Sequence, residues 1–130
     1  MRGVYARTQP RNDREARMVG AILRHYGAKV IVATSVSTAL VVLRREPVDV
    51  LIADLGMPVE DGYDLIRHVR TSETPKIAGM PAAALTAYTT EEDRERVLAA
   101  GFQFHLAKPV DPAVLVATVE RLRNEHQSVH

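Results

Sequence analysis

Three residues in this chain have the right types to handle a phosphoryl group together: Asp54, Thr86 and Lys108. A carboxylate is a nucleophile toward phosphorus and can form an aspartyl phosphate. The transferring group carries negative charge on its oxygens, so it needs cationic and hydrogen-bonding groups aimed at it. Lys108 supplies a compact positive charge and Thr86 a hydroxyl donor. Each residue alone is ordinary, because aspartate often turns a chain, threonine often fills a strand end, and a lysine before proline is usually solvated. Their common placement makes the set specific.

Asp54 closes the run Val48-Asp49-Val50-Leu51-Ile52-Ala53, which is almost wholly apolar and reads as a strand buried on both faces of a parallel sheet. Thr86 ends Pro81-Ala82-Ala83-Ala84-Leu85-Thr86-Ala87. Alanine favours helix there, but the segment is short, opens with proline and falls where an alternating pattern requires a strand. Lys108 follows Phe102–Ala107, and Pro109 stops that strand. In open α/β sheets ligands bind at the carboxyl edge of the strands. All three groups are expected there, each one strand–helix unit from the next.

The remaining elements follow from periodicity and caps. Asp13 to Tyr26 is a helix with Val19, Ile22 and Leu23 inward, closed by Gly27. Lys29–Thr34 is a strand, and Ser35 or Ser37 caps a helix ending at Arg45. Asp61-Gly62 marks a turn, then Leu65, Ile66 and Val69 stripe a helix ending near Arg70, and a polar loop covers 71–80. Thr90 and Asp93 form a capping box for a helix ending at Gly101, and Asp111-Pro112 start the last helix. The spacing predicts one domain over residues 1–124 and a disordered tail over 125–130. The fold class is α/β: a doubly wound parallel sheet with helices on both faces.

Composition narrows the function classes. With 130 residues, 46% of them hydrophobic, and a formal net charge of +1, the chain has enough apolar content for a core and no field that draws it to nucleic acid or a membrane. The opening arginines are interrupted by acids and read as a solvated face. There is no cysteine, no apolar run long enough for a membrane span and no secretory core, so the expected location is the cytoplasm. Five histidines (His25, His68, His105, His126 and His130) show no metal-ligand spacing.

Asp54-Leu55-Gly56-Met57-Pro58, Asp61-Gly62, Leu85-Thr86-Ala87, Ala100-Gly101 and Lys108-Pro109, in this order, resemble the receiver domain of response regulators in two-component signalling over about residues 16–123. The runs 84–87 and 104–110 are most similar to receivers attached to hybrid sensor kinases. The resemblance implies a flavodoxin-like five-stranded sheet of order 2-1-3-4-5. It implies Asp54 as phosphoacceptor, Thr86 as switch hydroxyl, Lys108 as phosphate-binding lysine with a cis bond to Pro109, and His105 as the ring that moves with Thr86. Tyr88 would border the water path and modulate the lifetime of the phosphoryl group. Mg²⁺ is the implied cofactor, held by Asp54, the backbone carbonyl near Gly56 and an acidic pair after the first strand. The implied partner is a sensor histidine kinase or histidine phosphotransfer protein, and the domain is a signalling switch rather than an enzyme.

The front of the chain departs from that pattern. Counting back from Gly27 puts the acidic pair near Pro10 and Arg11 or Arg11 and Asn12, none of them acidic, and leaves Asp13 and Glu15 as the nearest carboxylates. The first strand is reduced to Val4-Tyr5-Ala6, so it is expected to be short or irregular, or to be supplied by a second copy of the chain in a homodimer. Two functions therefore compete: a phosphoryl-accepting switch, and a degenerate receiver that binds partners without phosphorylation. A phosphohydrolase would need a general acid beside Asp54, and none is visible.

Overall fold

The computed structural model describes the backbone of residues 2–7, 13–55 and 59–128 and, within these, the side chains of residues 3–4, 17–55 and 62–124. Five strands, β1 (Arg2–Arg7), β2 (Lys29–Ala33), β3 (Val50–Asp54), β4 (Ala82–Thr86) and β5 (Phe104–Ala107), form one parallel sheet in the order β2-β1-β3-β4-β5. Helices α1 (Asp13–His25), α2 (Val36–Arg45), α3 (Val59–Arg70) and α5 (Glu91–Ala100) connect them, with a short α4 (Pro75–Ala78) before β4 and α6 (Pro112–Ser128) after β5.

Strand alternation sorts the core into two layers. Leu51, Ala53, Ala82 and Ala84 meet Leu65, Ile66, Val69 and Val97 on one face, while Val50, Ile52, Ala83 and Leu85 meet Val19, Leu23, Leu115, Val119 and Leu122 on the other. Every residue of β3 and β4 is buried, as double coverage by helices requires. This coverage also explains how three alanines sit in a strand. Their small side chains let helices pack closely on both faces, and tertiary burial outweighs their helical propensity.

The front of the chain fills its own central slot. β1 pairs with β2 from Arg2↔Lys29 to Ala6↔Ala33 and with β3 from Gly3↔Val50 to Arg7↔Asp54. The expected short or irregular strand is thus a six-residue one within this chain, so no segment of a second copy is needed to complete the sheet. Two apolar neighbouring strands offer a full set of backbone donors and acceptors, and these order even a strand of weak pattern.

Three other local expectations change. Asp61 and Gly62 lie inside α3, not in a turn. A Cβ at Gly62 would fall 1.8 Å from Leu55 Cδ2, so the glycine serves the close approach of α3 to the exit of β3. The loop over 71–80 contains α4, started by Pro75 at its first turn. Helix α6 continues through the expected tail as far as Ser128.

Caps fix the starts of α2, α5 and α6. Ser35 accepts from the Thr38 N–H, Thr90 and Asp93 complete their capping box, and Asp111 Oδ1 accepts from the N–H groups of Ala113 and Val114 at 2.8 and 3.3 Å. At the opposite edge of the sheet from Asp54, the Arg70 guanidinium donates to the carbonyls of Gly101 and Ala78, each at 2.9 Å, and to Gln103 Oε1 at 3.1 Å. Gln103 Oε1 also accepts from the Ala82 N–H at 2.7 Å. Arg70 therefore ties α3 to α4 and the end of α5, and Gln103 extends the tie to the start of β4.

Candidate functional site

Asp54, Thr86 and Lys108 converge at the carboxyl edge of the sheet. Asp54 is the last residue of β3 and is 8% exposed; Thr86 is the last residue of β4 and is 2% exposed. Lys108 follows β5, and its N–H donates to the Thr86 carbonyl at 2.9 Å, which locks the lysine backbone to the strand that carries the hydroxyl. The Leu55 N–H donates to the Leu85 carbonyl at 2.8 Å and fixes the other side of the junction. From this anchorage the Lys108 ammonium reaches Asp54 Oδ1 at 2.5 Å. A buried carboxylate needs such a counter-charge. The Lys108–Pro109 peptide is cis.

Thr86 Oγ1 accepts from the Tyr88 N–H at 2.9 Å. The Tyr88 carbonyl in turn lies 3.0 Å from His105 Nε2. His105 and Thr86 are therefore joined through the backbone of one residue, Tyr88. The Tyr88 ring is 42% exposed and borders a cavity of about 200 Å³ that Leu55, Tyr63, Thr86, Asp93, Arg96 and Val97 also line.

That cavity brings in residues that the sequence did not single out as functional. Arg96 lies over the Tyr63 ring, 4.5 Å from its centroid. Burial pushes the Tyr63 hydroxyl pKa up, against the opposing pull of Arg96. Hydrogen bonds from Thr90 hold the Asp93 carboxyl below its usual range, with His105 and Arg96 adding to the shift. Asp93 was legible as a cap; its place beside His105 depends on the packing of α5 on β5.

A magnesium ion asks for near-octahedral oxygen ligands. Among the described residues no group of three or more His, Cys, Asp or Glu side chains could hold a metal. Asp54 Oδ1 is against the Lys108 ammonium, and the residue paired with Asp54 on the neighbouring strand is Arg7. The described residues thus do not fit the ion. Gly56, Arg11 and the carboxylate of Asp13 lie outside the described residues and side chains. Pro10 and Asn12, the other positions that the count from Gly27 gives for the acidic pair, lie outside the described residues as well; β1 ends at Arg7.

The sequence profile of the response regulator receiver domain matches residues 12–120. This chain belongs to that family. It is 46% identical over 100 residues to an uncharacterized 14.6 kDa protein of Leptolyngbya boryana, covering 77% of this chain and 75% of the relative. It is 42% identical over 65 residues to hybrid signal transduction histidine kinase D of Dictyostelium discoideum, 48% of this chain but 4% of that kinase. Among solved structures, the receiver domain of sensor histidine kinase PA1611 from Pseudomonas aeruginosa superimposes with a TM-score of 0.79 at 30% identity, covering 95% of this chain and 97% of that one. That structure has a magnesium ion coordinated in its active-site cleft. The chain is a receiver domain of two-component systems. No helix among the described residues is long and apolar enough to cross a membrane.

Proposed function

We propose that this receiver takes a phosphoryl group onto Asp54 from a phosphohistidine of a sensor histidine kinase or histidine phosphotransfer protein. A carboxylate oxygen of Asp54 attacks phosphorus, the P–N bond breaks, and the imidazole leaves with the bonding pair. Lys108, which neutralises the carboxylate in the resting state, moves with the charge onto a phosphoryl oxygen. Thr86 then donates its hydroxyl hydrogen to another, and His105 and Tyr88 follow because they share its backbone contacts. The domain acts as a signalling switch, and Tyr88, at the rim, modulates how long the phosphoryl group lasts. The observation that carries this reading is the Lys108–Asp54 contact, built on a lysine whose backbone is fastened to Thr86.

A second reading has its own support. Arg7, the last residue of β1, is in register with Asp54, and the described residues assemble no carboxylate cluster. A degenerate receiver that binds partners without phosphorylation fits both facts. Intact-mass measurement with acetyl phosphate separates the readings. The switch gains one phosphoryl group, and Asp54→Asn does not; no gain at any magnesium concentration leaves the binding module. A magnesium titration followed by the Asp54 and Leu55 amide shifts is expected to saturate only well above about 1 mM, weaker than a site with a full carboxylate set.

A further inference from the structure

We infer that the Asp54 site holds a phosphate group with the chain's own cations, Lys108 and Arg7, and without a divalent metal ion. The meaning of this for signalling rests on the phosphoryl-switch reading; the binding of phosphate does not. The Lys108 ammonium lies 2.5 Å from Asp54 Oδ1, so the pair by itself is neutral. Arg7, the last residue of β1, is in register with Asp54 on the neighbouring strand and adds one positive charge there. Backbones of adjoining strands are about 4.8 Å apart, well within the screening length of about 8 Å at physiological salt. Among the described residues no carboxylate cluster stands against that excess.

Such a balance suits an anion and opposes a cation. A phosphoryl group carries about two negative charges at neutral pH, whereas magnesium would bring two more positive charges to a place that already has an excess. Hydrogen-bond donors are set for the same occupant. An ammonium has three N–H donors, more than one carboxylate oxygen can take, so Lys108 can serve Asp54 and a phosphate oxygen together. Thr86 Oγ1 accepts from the Tyr88 N–H at 2.9 Å, which leaves its own hydrogen to donate. The Lys108 N–H is fastened to the Thr86 carbonyl at 2.9 Å, so the backbone sets the spacing of these two donors and no ion is needed to do it. In this arrangement Asp54 is the group that phosphate must work against. In a metal-bridged site the same carboxylate would be a ligand of the ion and would help phosphate to bind. The two cases therefore predict opposite effects of removing its charge.

The test titrates inorganic phosphate into the chain in EDTA and follows the Leu55, Thr86 and Lys108 amide signals by NMR. Saturable shifts are expected in EDTA, and excess magnesium, set against sodium chloride of matched ionic strength, does not tighten binding. Arg7→Gln is expected to weaken phosphate about tenfold, the worth of one charge-assisted contact, and Arg7→Lys to keep most of the affinity. Asp54→Asn is expected to tighten phosphate in EDTA. Shifts that appear only with magnesium, or an Asp54→Asn variant that binds phosphate more weakly, overturn the proposal. If Arg7→Gln misfolds, Asp54→Asn decides by itself. Intact mass with acetyl phosphate forms a separate arm. A gain of one phosphoryl group in EDTA supports the proposal, and a gain that requires magnesium overturns it. No gain under either condition sinks the switch reading alone, and the phosphate titration then decides whether the metal-free site exists.

Discussion

Removing the Lys108 side chain tests the site through stability as well as activity. The ammonium lies 2.5 Å from Asp54 Oδ1, with side-chain exposures of 16% and 10%, so the pair is close to the buried limit. At an effective dielectric constant of about 20, charges this near attract by about 7 kcal/mol, and desolvation offsets much of that. Lys108→Ala leaves a buried carboxylate without its counter-charge, and we expect a loss of about 3 kcal/mol in urea unfolding at neutral pH. Asp54→Asn removes the charge that is costly to bury and should cost about 1 kcal/mol or less. The double variant should then recover about 2 kcal/mol relative to additivity. Phosphorylation from acetyl phosphate would fall in both single variants, but for opposite reasons: one loses the nucleophile and the other its electrostatic partner. A Lys108→Ala variant within about 0.5 kcal/mol of the parent, the range of ordinary surface substitutions, with no coupling to Asp54→Asn, refutes the pairing on which the proposed function rests.

Replacing Arg7 with aspartate puts an acid opposite Asp54, and magnesium, followed by the Leu55 amide shift, should bind more tightly; unchanged affinity means that register position does not control the metal. Arg70→Met strips donors from the carbonyls of Gly101 and Ala78 and from Gln103, and should cost about 2 kcal/mol in urea unfolding while leaving phosphorylation nearly intact. Gly101 has φ +123°, and a Cβ there would come within 2.9 Å of Arg70 Cγ, so Gly101→Ala should destabilise by at least about 1 kcal/mol and by less when combined with Arg70→Ala. Asp93 has a depressed pKa in the folded state, so its contribution is present above the ordinary carboxylate value of 3.8 and is lost as pH falls through the lower folded value. Amide exchange at the start of α5 should accelerate across that window in the parent and not in Asp93→Ala.

The order of elements, the strand ends and the convergence of Asp54, Thr86 and Lys108 were legible in the sequence because they depend on local rules. An apolar run with a polar stop makes a buried strand with a functional end, and the right-handed connection of parallel strands brings successive ends to one edge. Ser35, the Thr90–Asp93 box and Asp111 were readable as caps for the same reason: a cap is satisfied by groups within a few residues of itself. What escaped depends on partners distant in sequence. β1 carries too weak a pattern to declare itself, and the backbone groups of β2 and β3 order it in the register that sets Arg7 against Asp54. Gly62 resembles a turn residue beside Asp61, yet its place comes from Leu55 pressing on α3. The contact of His105 with the Tyr88 carbonyl joins β5 to the loop after β4, and Arg70 with Gln103 joins four elements; neither has any periodicity to read. Chemistry that needs only residue type and strand position was set by the sequence, whereas contacts that need two segments at one distance were decided by how the helices pack on the sheet.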